Sequence, residues 1–481
     1  MDRPIAPAEI SNYRTRRCRA LPTSDNNSIR AAKVTDNSRM SSSSSRQIPP
    51  GEVRFHPLSV AGHGGRVFWW NGGLYRGISA EHAAHYQSLF NRGIVQRLIE
   101  QKLLVETQIT DLELQPYALI LKHRVLPAVT YAPEWPSAML QAAAELTLTL
   151  QENLLAEGLM LHDAHPFNVL FDGIHPLFVD LGSIVPANGL ADSTGHWPAY
   201  DEFCRFFLNP LKVMAAGHAR VARWLMHDNH QGITKATTAA LCREPEPSAT
   251  PKLTAIESLR QAQAELRSLK PLVAKTEWST YWSGEGDFPD FDNQAGWNEK
   301  RRCIARLFQQ LKPRTMLDIG SNRGWFSQLA ARAGTAVLAT DLDEQSLNLL
   351  HDDTVSNGLP IQPLLMDFGN PLPGYGINNC WLEPAMDRLK SDLVLALAVV
   401  HHMTHKQYLR FEQIVDGLAA LSNRWVIVEF IAREDIHVAR WPKGPDWYTL
   451  ENFSAELQKR FRSIQQFPSD IDHRFILLCG K

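Results

Sequence analysis

Met316-Leu317-Asp318-Ile319-Gly320-Ser321-Asn322-Arg323-Gly324-Trp325-Phe326 decides the fold. An apolar strand runs into a glycine turn and on into a helix, the arrangement with which an open α/β sheet presents backbone N–H groups to a ligand. The next apolar run, Ala336-Val337-Leu338-Ala339-Thr340, ends on Asp341. That residue lies about twenty positions beyond the turn, where a carboxylate meets ribose hydroxyls. A further acidic landmark, Asp367, precedes Phe368. Ligands of such sheets sit at the carboxyl ends of the strands near the topological switch point, so these strand ends can share one crevice and hold an adenosine.

These residues resemble class I S-adenosylmethionine-dependent methyltransferases, and the resemblance covers roughly residues 276–481. It implies an α/β domain with a Rossmann-like sheet of seven strands, the last antiparallel. A nicotinamide or flavin fingerprint needs three glycines, for the turn, the pyrophosphate approach and helix packing. The chain offers Gly320 and Gly324 alone. Trp325 and Phe326 fall in the first helical turn, where bulk crowds a pyrophosphate but can wall the pocket of a cofactor that carries no phosphate.

The downstream pattern agrees. Asp392 to Val400 is an almost unbroken apolar run, as expected of a parallel strand buried on both faces, and it leads into His401-His402-Met403. Trp425-Val426-Ile427-Val428 ends in Glu429-Phe430, and Phe475 to Cys479 supplies a final apolar run. Helices are expected over Phe326 to Ala333, Glu344 to Leu350, Lys406 to Leu421 and, capped by Thr449, Leu450 to Phe461. Strand and helix alternate, which means a parallel sheet.

A sulfonium donor is already activated, so its protein mainly aligns donor with acceptor and excludes water. On the resemblance, Asp341 is the ribose ligand. Asp367 accepts from the adenine amino group, with Phe368 or Leu342 packed on the ring. Asp318 and Asn322 serve the methionine end of S-adenosylmethionine, beside the Gly320 turn. The helix N-terminus at Gly324 to Phe326 offers N–H groups to the methionine carboxylate. Asp343 reads as a helix-start carboxylate. If the acceptor is a hydroxyl or amine, a base is needed near the end of the fourth or fifth strand, and Glu429, His401 and His402 are the candidates, Glu429 first. His401 and His405 lie four apart and can share a helix face that suits a metal, but no third ligand accompanies them and no metal is expected. Asp392 starts its strand, at the wrong end of the sheet, and reads as structural.

At 481 residues the chain exceeds what one core usually holds. The 44% hydrophobic content fits a soluble protein, no apolar run approaches bilayer length and no secretory leader is evident, so a cytoplasmic enzyme is expected. The six scattered cysteines form no Cys-x-x-Cys pair, which argues against a disulfide framework or zinc site. Net charge is −2, yet residues 1–50 carry nine basic against four acidic side chains, leaving +5 there and −7 elsewhere. With the serine run Ser41 to Ser45, this tail reads as disordered and solvated. Its basic residues are too diluted by Ser, Asn and Asp for a nucleic-acid arm.

Between tail and methyltransferase-like region, His162-Asp163-Ala164-His165-Pro166-Phe167-Asn168 is followed by Phe178-Val179-Asp180-Leu181-Gly182. Kinase-like folds place a catalytic Asp five residues before a metal-binding Asn, and a second metal-binding Asp after the next hairpin. Asp163, Asn168 and Asp180 match that layout and define a possible nucleotide and metal site. Gly62, Gly64 and Gly65 before Arg66-Val67-Phe68 do not form the usual phosphate-covering loop. Gly73-Leu74-Tyr75-Arg76 carries arginine where a phosphate-pairing lysine is expected, and arginine is not a silent substitute. Residues 51–250 therefore resemble a degenerate, α+β relative of the kinase or aminoglycoside-phosphotransferase fold, with Leu119 to His123 as the hinge-like strand. The bland alternative is a buried polar turn in which Asp163 and Asp180 hold backbone amides.

Residues 251–275 read as a linker whose charged, leucine-spaced helix is stopped by Pro271. Trp278, Tyr281, Trp282 and Trp297 then precede the first strand and suit either a lid over the cofactor or interdomain packing. The whole order, including Val129-Thr130-Tyr131-Ala132-Pro133-Glu134-Trp135, resembles a bacterial two-domain methyltransferase family that includes nodulation proteins of plant symbionts. The resemblance implies host-specific signalling and a small-molecule or glycan-type acceptor. Two other readings stand beside it: a phosphotransferase or pseudokinase, and a non-catalytic binder of the methyl donor.

Overall fold

The computed structural model describes residues 46–481 apart from 58, 60–64, 188–195, 229, 246–252, 272–274, 281–287, 289, 380 and 442–443. The expected tail to Ser45, the turn glycines Gly62 and Gly64, and Tyr281 and Trp282 lie outside the described residues. Arg46–Lys481 forms one compact unit.

The N-terminal half opens with a five-stranded sheet of β1 (Arg54–Phe55), β2 (Arg66–Trp70), β3 (Gly73–Ile78), β4 (Thr107–Ile109) and β5 (Leu119–His123), in the order β1-β2-β3-β5-β4 and antiparallel throughout. Helices α1 (Ala80–Asn91) and α2 (Ile94–Glu100) fall between β3 and β4. A helical portion follows, led by α3 (Ser137–Ala156) and including the paired strands β6 (Leu159–Leu161) and β9 (Ile184–Pro186) around the hairpin of β7 (Val169–Asp172) and β8 (His175–Phe178). Then come α4 (Tyr200–Phe203), α5 (Asn209–Ala215), α6 (Ala219–Leu225), α7 (Lys235–Cys242) and α8 (Ala255–Ser268). This half is an α+β succession, and the strand read as hinge-like, Leu119 to His123, coincides with β5. Helix α8, the expected connector, starts in a Thr254–Glu257 capping box and buries Leu259, Ala262 and Leu266. Its Gln263 donates to Glu152 of α3 at 3.1 Å.

After α9 (Glu299–Leu311), the C-terminal half is built on β10 (Thr315–Ile319), α10 (Trp325–Arg332), β11 (Ala336–Asp341), α11 (Glu344–Asn357), β12 (Ile361–Leu365), α12 (Ala385–Arg388) and β13 (Ser391–Ala396). It continues through α13 (Val400–His405), α14 (Phe411–Leu421), β14 (Ser422–Ile431), α15 (Leu450–Gln458), β15 (Ser463–Pro468) and β16 (Arg474–Gly480). These seven strands run in the order β12-β11-β10-β13-β14-β16-β15. The first five are parallel, and β16 lies antiparallel to both its neighbours. Alternate residues divide between the faces, as the twofold pleat requires. Leu317, Val394, Val426 and Val428 pack in one cluster with Phe411 and Phe453, while Met316, Leu393, Leu395 and Ile427 join Ile304 and Leu307 of α9.

Several boundaries differ from expectation, among them the helix expected over Glu344 to Leu350, which runs on to Asn357. The Asp392 to Val400 run is not all strand: β13 stops at Ala396, Ala398 turns at φ 53°, and α13 begins at Val400. His401 and His402 therefore sit on a short helix. The helix expected from Lys406 starts only at Phe411, because Tyr408 adopts φ 59°. Strand β14 extends to Ile431, which leaves Glu429 inside it.

The strand order reverses between β10 and β13, and Gly320 sits at that switch point with φ 73°. A Cβ there would lie 2.3 Å from Cγ1 of Val399. Gly320→Ala is expected to cost about 2–4 kcal/mol by combining left-handed strain with overpacking. Gly334→Ala, at φ 90° with open space around it, should carry the backbone part alone, about 1–2 kcal/mol. Denaturant midpoints of the two variants check the difference.

Candidate active site

The expected site is at the carboxyl ends of the adjacent strands β10, β11 and β13. Gly320 and Ser321 both donate to the carbonyl of Thr340, at 2.8 and 2.9 Å, which locks the turn after β10 onto β11. Asn322 then takes φ 52°. Its N–H donates to Oδ2 of Asp341 at 2.7 Å, while Oδ1 of Asp341 accepts the N–H of Asp343 at 2.8 Å. One carboxylate thus fixes both loops, and each oxygen retains a further acceptor direction. Burial raises the Asp341 pKa above its ordinary value, against the backbone N–H groups of Asp343, Asn322 and Leu342 that lower it, and the Asp343 charge adds to the rise. Leu342, next in line, is 61% exposed. Asp343 caps α11, accepting from Ser346 at 2.7 Å, and takes the hydroxyl of Thr276 on its other oxygen.

Asp318, on β10, is buried and accepts the Ser327 hydroxyl at 2.6 Å. Burial pushes its pKa up to about 7; the Ser327 hydrogen bond and Lys300 oppose this, and the Asp341 charge adds to it. Gly324, at φ 72°, leads into α10 with no side chain capping the helix. Asn322 extends its amide to the Trp278 carbonyl at 2.9 Å. That bond ties the glycine turn to the segment before the first strand, while Trp278 meets His402 edge to face at 5.2 Å.

Asp367 follows β12 and accepts from Gly369 and from Gln407 Nε2 on the same oxygen, at 2.9 and 2.8 Å. Phe368 turns towards α14: a Cβ on Gly417 would lie 2.6 Å from its ring. Of the two residues considered for stacking on adenine, Leu342 is therefore the one left open. Trp325 does not wall the crevice. It is 1% exposed and stacked on Phe291 at 5.3 Å, with Trp297 edge-on at 5.2 Å, in a cluster beside α9. Trp297 belongs to that core and not to a lid.

His401 and His402 lie on α13, their rings 4.1 Å apart and 5.3 and 5.1 Å from Trp441. Burial lowers the His401 pKa to about 2, with the His402, Arg474 and His405 charges acting the same way. Burial, then Lys406 and His405, hold His402 at about 4. Both rings are neutral at physiological pH. The third candidate, Glu429, is not at a strand end. It is fully buried, ion-paired with Lys300 at 2.6 Å, and takes the Ser469 hydroxyl at 2.9 Å. A carboxylate so enclosed can reach an acceptor only by breaking a buried ion pair, which is strongly unfavourable.

In the N-terminal half, Asp180 follows β8 and Arg76 stands on β3. The guanidinium meets Asp180 Oδ1 at 2.6 Å, Gly182 N–H donates to that oxygen at 3.1 Å, and the Ser183 hydroxyl to the other at 2.7 Å. Burial works against ionisation of Asp180, but Arg76 and these hydrogen bonds outweigh it and keep the pKa below its ordinary value. Asp163 accepts the N–H of His165 at 2.8 Å, and Glu202 beside it is pushed up to about 8 by burial and the Asp163 charge. Asn168 begins this hairpin with a buried Nδ2 that has no partner among the described residues. Among those residues, no three His, Cys, Asp or Glu side chains are grouped to hold a metal.

A seven-stranded sheet in this order, with β16 antiparallel, a glycine turn at the switch point and carboxylates at the ends of β10 and β11, is the class I methyltransferase fold. No protein-family model matches the chain. It is similar to nodulation protein NoeA of Rhizobium meliloti, 26% identical over 443 residues that span 84% of this chain and 91% of that protein. Solved structures include magnesium protoporphyrin IX methyltransferase from Synechocystis with bound S-adenosylhomocysteine, at 16% identity and TM-score 0.29 over 38% of this chain and 81% of that one. The bifunctional kinase-methyltransferase WbdD is 19% identical at TM-score 0.27, over 38% and 39% of the two chains. Scores of this size carry no weight beside the strand order.

The buried Asp318 makes the site a source of instability. Its raised pKa means that the contribution of its proton is fully present below the ordinary value of 3.8 and lost as pH rises through about 7. Asp318→Asn is therefore expected to melt higher than the parent at about pH 8, with the gain shrinking as pH is lowered through 7. Thermal unfolding across that range checks it, and a gain independent of pH would refute the assignment.

Proposed function

We propose that the chain transfers a methyl group from S-adenosylmethionine to a small-molecule or glycan-type acceptor. The observation that carries this reading is the Asp341 junction: a strand-end carboxylate, oriented by two backbone N–H groups, with an exposed leucine beside it. When bound, the sulfonium cofactor supplies an activated methyl group. The residues present suit such a molecule. Asp341 accepts the ribose hydroxyl protons on its remaining acceptor directions, and Leu342 covers one face of the adenine. Asp367 takes the adenine amino group. Asp318, Gly320, Asn322 and Gly324 shape the methionine end, where the backbone opening α10 binds a carboxylate.

The acceptor meets α13 beside His402, whose ring lies against Trp278 and Trp441. His402 takes its proton if it is a hydroxyl or amine, since the ring is neutral and its neighbour Trp278 belongs to the segment tied to the glycine turn. His401, more deeply buried, orients that ring, and Glu429 holds Lys300 in place. The likeness to a nodulation protein supports a part in host-specific nodulation. Phosphotransfer is not favoured as a second reading, because Arg76 and two hydrogen-bond donors already occupy Asp180. A non-catalytic binding protein would bind the donor and methylate nothing in host or bacterial extracts.

Calorimetry on the full chain tests the reading. S-adenosylmethionine is expected to bind at micromolar strength, and Asp341→Ala to weaken it about a hundredfold, the loss of two hydrogen bonds to a charged group. Magnesium and adenosine triphosphate together should give no heat. Absence of donor binding by the parent chain would overturn the proposal, and nucleotide binding abolished by Asp180→Ala would restore the kinase reading.

A further inference from the structure

The residue after the donor loop Asp341-Leu342-Asp343 is Glu344, and its carboxylate points out of the methyltransferase half. Its Oε1 accepts the N–H of Ser137 at 2.9 Å and meets the guanidinium of Arg223 on α6. Arg223 also donates to the Trp135 carbonyl at 2.8 Å. Ser137 opens α3, whose N-cap is Pro136, with no side chain to satisfy the orphan N–H groups of the first turn. Glu344 provides that acceptor from the other half of the chain, and its negative charge suits the positive end of the helix. One turn further along α11, Asn348 accepts the N–H of Ala138 at 3.2 Å and donates to the Ser137 hydroxyl at 3.1 Å. The Arg223 and Glu344 side chains are only 10% and 12% exposed, so solvent screens their attraction weakly.

We propose that Glu344 is a positioning residue for the methyl-donor site: by anchoring the start of α11 to α3 and α6, it holds Asp341 and Leu342 where ribose and adenine meet them. This rests on the functional reading above. The route is short and covalent. Asp341 to Glu344 is a single turn of backbone, stiffened at Asp341 by its bonds to Asn322 and Asp343 and at Asp343 by the helix cap. A shift of Glu344 therefore moves the ribose carboxylate with it, and hydrogen bonds tolerate only a few tenths of an ångström.

A second tie between the halves provides the comparison. Arg388 and Glu134 form an ion pair with side chains 2% and 3% exposed, and Arg388 also donates to the Val129 carbonyl at 2.9 Å. This tie reaches α12 and touches no residue of the donor loop. An interface that only stabilises the fold would respond alike at both ties, whereas a positioning role separates them.

The experiment is calorimetry of S-adenosylmethionine binding to the full chain, with melting temperature measured in parallel, for the parent, Glu344→Gln, Arg223→Met, their double variant and Glu134→Gln. Glu344→Gln and Arg223→Met are each expected to raise Kd about tenfold, with the double variant no worse than the weaker single one. Glu134→Gln is expected to lower the melting temperature while leaving Kd within about twofold. Should Glu344→Gln not fold, Arg223→Lys keeps the charge but loses the guanidinium fork, and about a threefold rise is expected. An unchanged Kd in Glu344→Gln, or an equal rise in Glu134→Gln, overturns the role of Glu344. A parent chain that binds no donor overturns the functional reading, and this inference with it.

Discussion

The carboxylate of Asp341, holding the Asn322 N–H on one oxygen and the Asp343 N–H on the other, is the constraint on which the crevice depends. It joins the loop after β10 to the loop after β11 without closing the space between them. Asn322 is a non-glycine residue at positive φ, and the bond from its N–H helps to hold that strained backbone. Through the Asn322 amide the same turn holds Trp278, and through Asp343 it holds both the start of α11 and Thr276. A loop that bridges two strand ends in this way is ordered before any ligand arrives, which lowers the entropy that binding must overcome.

Much of this was legible in the sequence because parallel strands buried on both faces are written as continuous apolar runs. The turn at Gly320, the strand ending at Asp341 and the cap at Asp343 carry local signals: a residue free to take positive φ, a carboxylate ending an apolar run, an acceptor opening a helix. What the sequence concealed depended on contacts far along the chain. Glu429 follows an apolar run and looked like a strand end, but β16 pairs with β14 as far as Ile431 and carries the strand past it. Lys300, which neutralises it, lies 129 residues away. Lys406 to Leu421 has helical composition throughout, and only the turn at Tyr408 divides it. Strand β15, with Gln465 and Gln466 at its centre, has too little apolar character to announce itself and is held in place by β16.

The two halves meet through polar groups as well as apolar ones. Glu134 and Arg388 are nearly sealed from solvent, and Gln362 of β12 donates to Thr130 at 2.6 Å. Val129, Thr130, Tyr131 and Glu134 all supply N-terminal partners, which explains why that segment, with its mixture of Thr, Tyr, Glu and Trp, looks distinctive in sequence without matching any catalytic pattern. Buried ion pairs gain little net stability over apolar packing, but separating the partners leaves a charge without solvent or counterion. Arg76 and Asp180 are joined by a further ion pair within the N-terminal half.

The position of β16 has a consequence for how the protein is made. Residues 474–480 lie between β14 and β15, so one whole edge of β14 has no partner until that stretch of chain has been synthesised. Emerging from the ribosome, the parallel strands β10 to β14 would expose an apolar edge for the time it takes to add some fifty further residues, a few seconds at usual elongation rates of about 5–20 residues per second. An unpaired edge of that kind invites pairing with other nascent chains. The N-terminal half, complete much earlier, offers α3 and α6 as a surface on which α11 can settle during that interval.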